Sequence, residues 1–283
     1  MQSLFAQGVF ATEAVEGFGF ETIRDVPYVP AKLDQEVQSS QTLDIYKPEG
    51  GRKLPVVLYV HGGGWAFGSK NDVNLKPHYF TSKGFAFLSM NYRLRWDYKI
   101  YDQIVDVIAA VRWIESEGNE HGLDSSRIVL MGHQAGGHLV TLAAADRSFL
   151  EAEGMTGANI KAVVSVDSSS YDITRLMREL GSFVERRQHQ LIFGNDENVW
   201  QAASPITHVD ENRGIPPIAL LYNPKMEASS LQAKGFAKEL SRASVDVIMI
   251  PGSVDAPDRT DELLGSAGNV STVALMAFLR SQI

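Results

Sequence analysis

The sequence predicts an α/β fold, a mostly parallel sheet of roughly eight strands with helices on both faces. Three observations carry this expectation. Short β-rich runs alternate with helical patterns from about residue 41 onward. Several of the runs are continuously apolar, as parallel strands covered on both faces are. The segments between them are long enough for the crossover helices that parallel strands require.

The strand runs are "QTLDIYKP" (41–48), "LPVVLYVHG" (54–62), "FAFLSMNYRL" (85–94), "RIVLMGH" (127–133), "IKAVVSVDSS" (160–169), "PPIALLYN" (216–223) and "VDVIMIPG" (245–252). An earlier run around "DVPYV" (25–29) would make an eighth. Helical patterns occupy 101–118, 229–243 and 269–283. Residues 172–204 form a long insertion after a strand, with apolar residues at 176, 177, 180 and 183 in helical spacing. This insertion reads either as a lid, at about 172–200, over the carboxyl end of the sheet or as an ordinary crossover helix.

Length and composition predict one α/β domain spanning 1–283. There is no cysteine, which excludes a disulfide framework, a thiolate metal site and a cysteine nucleophile. The formal charge of −8 argues against nonspecific binding to nucleic acid or anionic membrane, since both need a basic surface. The first twenty residues lack a basic region followed by an apolar core, and no apolar run approaches the ~18 residues of a membrane span. The expectation is therefore a cytoplasmic protein that needs no cofactor or metal and binds a small molecule, with a homodimer as the candidate assembly.

Two glycine-rich motifs point to a site. In "LMGHQAGGHL" (130–139) a strand runs into a turn with glycine two residues before and after position 134, then into a helix. This is the frame of the nucleophile elbow, G-x-S-x-G, with Gln134 where the serine belongs. In "HGGGW" (61–65) successive glycines let the backbone turn its N–H groups inward without side chains in the way.

With "LDIYKPEGGRKLPVVLYVHGGGWAFGSK" (43–70), "NYRL" (91–94), "DVIAAVRWI" (106–114), "GLDSSRIVLMGHQAGGHL" (122–139) and "ASPITHV" (203–209), the chain resembles the α/β-hydrolase superfamily, in its carboxylesterase, hormone-sensitive-lipase and arylformamidase-like branch. The resemblance implies the α/β-hydrolase fold. It also implies an oxyanion hole from the backbone N–H groups of Gly63, Gly64 and Ala135, which would hold developing charge on a carbonyl oxygen.

The family triad runs Ser, Asp or Glu, His along the chain. Gln134 cannot attack, because its amide nitrogen is conjugated with the carbonyl. No histidine follows His208. The nearest counterpart of the family base is Asp255, within one or two residues of register. The acid is expected near "NPKMEASSLQ", with Lys225 or Met226 in place and Glu227 one step away. Asp255 and Glu227 would serve as acid or base if an apolar pocket raised their pKa. His133, His138 and His61 read as scaffold, and His78, His121, His189 and His208 show no metal-ligand spacing. Trp65 is expected to line the pocket floor or pack under the glycine loop, and Tyr171 and Asp172 to form a pocket wall. Gln134 would orient the substrate or polarise its carbonyl.

These departures lead to an expected degenerate triad, a pseudo-triad, and a non-hydrolytic enzyme. Cyclisation, isomerisation, elimination or a pericyclic step on a carbonyl-bearing small molecule in a biosynthetic pathway would need no acyl intermediate. A non-catalytic small-molecule receptor, as in the lipase-like plant gibberellin receptors, is the alternative. A hydrolase with an unusual catalytic apparatus is the third.

Overall fold

The continuously apolar runs become the middle of an eight-stranded sheet, in the order β1-β2-β4-β3-β5-β6-β7-β8. The computed structural model describes residues 19–30, 40–95, 97–180, 182–211, 214–252 and 259–283. The strands are β1 (Phe20–Pro27), β2 (Thr42–Pro48), β3 (Leu54–Val60), β4 (Ala86–Met90), β5 (Leu123–His133), β6 (Ile160–Val166), β7 (Ile218–Tyr222) and β8 (Val247–Pro251). β1 and β2 pair antiparallel at one edge, and β3 to β8 are parallel. The sheet is open, and the architecture is that of the α/β-hydrolase fold. Two boundaries differ from expectation. β1 starts at Phe20, ahead of the "DVPYV" run, and β5 starts at Leu123 because Leu54 pairs with it across an irregular register.

Apolar residues at consecutive positions make sense once both faces are covered. Leu58, Val60 and Leu130 bury into one core, and Val57, Tyr59, Val129 and Met131 into the other. Helices α1 (Lys76–Ser82), α2 (Ile100–Glu117) and α3 (Ala135–Ala145) connect the early parallel strands. In α2, Ile104, Val107, Ile108, Val111 and Ile114 recur at helical spacing and are fully or almost fully buried. α3, rich in glycine and alanine, is buried along its whole length. Small residues let it lie close against the sheet at the point where the site forms.

After α4 (Ser148–Ala152) and β6, the insertion forms α5 (Ile173–Arg175), a π-helical turn (Leu176–Leu180), α6 (Phe183–Phe193) and α7 (Glu197–Ala202). The expected periodic face does not run through it. Leu176 and Met177 are buried but Phe183 is 82% exposed. Ser182 starts a new helix, accepting from the Glu185 N–H while the Glu185 carboxylate accepts from the Ser182 N–H. The chain closes with α8 (Glu227–Arg242), α9 (Thr260–Leu263) and α10 (Val270–Gln282).

One polar network ties the segment after β8 to the sheet. Lys76 is fully buried, with Nζ 2.8 Å from Asp261 Oδ2, and the Tyr59 hydroxyl donates to Asp261 Oδ1 at 3.0 Å. Burial pulls the Lys76 pKa down and the Asp261 carboxylate opposes that shift. No helix among the described residues is long and apolar enough to cross a membrane.

Candidate active site

The site forms where β3, β5 and β6 end side by side. β5 turns through Gln134 at φ 45°, ψ −109° into α3. This non-glycine conformation costs on the order of 1–3 kcal/mol and persists because its surroundings hold it. The Gln134 N–H donates to Val166 O at 2.8 Å, which joins the turn to β6. The flanking glycines are required by close approach. A Cβ on Gly136 would lie 2.0 Å from Val60 O, and one on Gly132 would lie 2.3 Å from the Gly136 carbonyl carbon.

The glycine loop follows β3. Gly63, Gly64 and Trp65 take φ of 104°, 60° and 62°, and the Ala66 and Phe67 N–H groups both donate to Gly63 O. The conformation is braced from behind. Tyr92, from "NYRL", stacks on His61 at 4.4 Å and donates to His61 O. The Arg95 N–H and Gln103 Nε2 each donate to Trp65 O at 2.8 Å. Among the described residues, the N–H groups of Gly63, Gly64 and Ala135 have no hydrogen-bond acceptor. Such amides at the edge of a cavity suit an oxygen that carries negative charge.

The cavity above them measures about 260 Å³ and is lined by Gly64, Trp65, Gln134 and Ala135 below and by Glu185, Gln188 and His189 of α6. Ser169 and Ser170 from the loop after β6, with Asn223, Met226 and Ser229, complete the wall. A second space of about 600 Å³ continues from it, also lined by Gly63 and walled by Ala66, Phe67, Leu191 and Ile192, with Arg95 at its side. A smaller chamber of mixed polarity thus adjoins a larger, mostly apolar one.

Gly63, Gly64, Trp65, Gln134 and Ala135 all meet in these two connected spaces. Tyr171 and Asp172 do not line them. Tyr171 is 1% exposed, stacked on Phe236 at 4.8 Å, and donates to Ser165 Oγ; Asp172 caps α5 through Arg175 N–H. The expected wall is there, but Ser169 and Ser170 provide it. Glu227 is exposed in the first turn of α8, while Met226 and Ser229 face the cavity. Asp255 lies outside the described residues.

The histidines separate clearly. His61 donates from Nδ1 to Gly62 O, and burial lowers its pKa. His138 is buried beside Trp65, which donates from Nε1 to His138 Nδ1, while His138 Nε2–H donates to Ala203 O. Burial pushes its pKa down to about 4. His133 faces a separate hollow behind the glycine loop, 3.9 Å from Asp261. His189 alone among the histidines lines the cavity, and its Nε2 is 2.9 Å from Ser170 Oγ. Sequence spacing gave no sign of this pair. The hints were the serine run "DSSS" at the end of a strand and the reading of 172–200, which includes His189, as a lid.

The model of the BD-FAE family matches residues 43–226, a span that includes both the glycine loop and the elbow. The chain belongs to the BD-FAE family of α/β-hydrolases. It is 27% identical over 262 residues to esterase LipC of Mycobacterium tuberculosis, covering 86% of this chain and 62% of LipC. It is 26% identical over 235 residues to LipM of the same organism, described as a probable carboxylic ester hydrolase, covering 80% and 54%. The chain therefore spans little more than half the length of these relatives. Among solved structures, esterase B of Lactobacillus rhamnosis superposes with a TM-score of 0.75 at 22% identity, over 93% and 87% of the two chains, which matches the fold.

These findings overturn the expectation of a non-hydrolytic cyclase or isomerase with a pseudo-triad in a biosynthetic pathway. The members it resembles are esterases, and they point to hydrolysis. The physical flaw in the expectation is specific. Gln134 and the lack of a histidine after His208 exclude one placement of nucleophile and base, not acyl transfer as such.

Proposed function

We propose that this chain is an enzyme that hydrolyses carboxylic esters of small molecules in the cavity between the glycine loop and α6. The observation that carries this reading is the set of three backbone N–H groups at Gly63, Gly64 and Ala135, lacking acceptors among the described residues, beside a cavity. An ester carbonyl becomes a tetrahedral oxyanion when attacked, and donors fixed in advance stabilise that charge without reorganising. The esterase relatives support the same reaction class. The two spaces suit a substrate whose scissile carbonyl sits in the smaller one, of mixed polarity, and whose apolar group extends between Phe67, Leu191 and Ile192. Gln134, at the elbow tip, can hydrogen-bond the bound carbonyl group with its side-chain amide.

Incubation with phenyl butyrate tests the reading directly. Saturable release of phenol is expected, absent from the heat-denatured protein and competed by benzyl propyl ketone, the non-cleavable isostere. Phenol release equal to that of the denatured control, across short acyl chains, would overturn it.

A further inference from the structure

The elbow tip carries Gln134, which has no nucleophilic atom, and no histidine follows His208, but a serine and a histidine stand together elsewhere in the cavity. Ser170 stands in the loop after β6, and His189 in the middle of α6. Each is buried, at 4% and 7% exposure, yet both line the cavity that Gly64, Gln134 and Ala135 also line. Ser170 Oγ and His189 Nε2 are 2.9 Å apart. His189 Nδ1 is 2.8 Å from the main-chain oxygen of Glu185. A carbonyl oxygen only accepts, so Nδ1 bears the ring proton. Nε2 is then a bare lone pair, and the Ser170 hydroxyl donates to it. That is the tautomer a general base requires. The ring is also held in place, edge-on to Trp65 at 5.5 Å and stacked against Phe193 at 5.9 Å.

We propose that Ser170 is the nucleophile and His189 its general base, a serine–histidine pair that takes the place of the elbow serine. The pair takes its substrate class from the ester reading above. Ser170 Oγ bonds to the carbonyl carbon as its proton passes to His189 Nε2. The tetrahedral oxyanion is held by the glycine-loop amides. It collapses by breaking the bond to the alkoxy oxygen, which takes the proton from His189 and leaves as the alcohol. Water then attacks the acyl-serine, giving its proton to His189. Collapse releases the carboxylic acid and returns the proton to Ser170. Among the described residues no carboxylate is hydrogen-bonded to the ring, whose Nδ1 has the Glu185 main-chain oxygen behind it, so the developing imidazolium is less well supported than in a full triad and turnover is expected to be slow.

Burial holds the His189 pKa below the usual imidazole range. Of the charged or titratable groups, Glu185 on its own helix and His138 of α3 act on the ring electrostatically, while Asp167 from the loop after β6 and Arg95 line the two spaces that His189 also lines. The base form therefore persists into mildly acidic solution. Activity is present above the lowered pKa and is lost as pH falls through it.

The test combines a fluorophosphonate probe, with peptide mapping of the adduct, and phenyl butyrate turnover in Ser170→Ala and His189→Gln. One label per chain is expected, on Ser170 rather than on Ser165, Ser168 or Ser169. Ser170→Ala should abolish the label and lower turnover on the order of a thousandfold or more. His189→Gln should slow labelling and remove the acid limb of its pH profile. Labelling of the native protein needs no variant, so a misfolded Ser170→Ala leaves the test intact. An adduct on any other residue, or no adduct, would overturn the pair, as would full turnover in a folded Ser170→Ala. That last result would leave the ester reading standing. Labelling at Ser170 without ester turnover would instead keep the pair and remove the ester reading.

Discussion

Gly136→Ala is expected to destabilise the protein by about 3 kcal/mol or more, at the upper end of what overpacking costs. The added Cβ would lie 2.0 Å from Val60 O and 2.6 Å from His61 O. Both obstacles are backbone atoms of β3 and the start of the glycine loop, so no side chain can swing away. Relief would require α3 to move off the sheet. That movement would also pull the Ala135 N–H away from the Gly63 and Gly64 amides, so activity should fall with stability. Gly84→Ala is the matched control. Gly84 has φ 85° and nothing within 4 Å of an added Cβ, so only backbone strain of about 1 kcal/mol is expected there. Urea denaturation of both variants measures the difference. A Gly136→Ala midpoint close to that of Gly84→Ala would mean that α3 does not seat on β3 as closely as described.

Gly64→Leu is expected to reduce ester turnover on the order of a hundredfold, the scale of losing one oxyanion donor. Gly64 has φ 60° and open space around its added Cβ, and it lines both connected spaces. A leucine there keeps the fold but fills the place where the carbonyl should sit. Gly64→Ala separates the two effects, because it introduces the same left-handed strain with little bulk. Comparing kcat/KM for phenyl butyrate across the three proteins decides the point. Equal turnover in wild type and Gly64→Leu would place the reacting carbonyl elsewhere.

The fold was legible because its signals are local and redundant. Apolar runs such as "LPVVLYV" specify buried strands whatever their partners, and the glycines of the elbow and loop mark close approach and positive φ. The placement of Gly63, Gly64, Trp65, Gln134 and Ala135 around the two adjoining spaces follows from those same motifs. Other parts of the site were not legible, for reasons that differ. Ser170 and His189 are nineteen positions apart in sequence, and although one reading of 172–200 is a lid over the sheet, nothing in residue type or spacing tells which side chain of that segment meets the loop after β6. Tyr171 was expected one position too late. In that irregular loop a single step moves a side chain from the cavity to the core, where Tyr171 stacks on Phe236. The functional expectation failed differently. It ranks a non-hydrolytic reaction above a hydrolase with an unusual catalytic apparatus because the elbow and the last loop lack the family's serine and histidine, whereas the esterase relatives favour hydrolysis.

A crystal structure with bound benzyl propyl ketone tests most directly whether the Gly63, Gly64 and Ala135 amides hold an ester carbonyl. The ketone oxygen is expected about 3 Å from those three nitrogens, in contact with Gln134 and with its carbonyl carbon facing Ser170. A ketone seated wholly beneath α6, with its oxygen away from the glycine loop and water or side chains occupying the three amides, would contradict that placement.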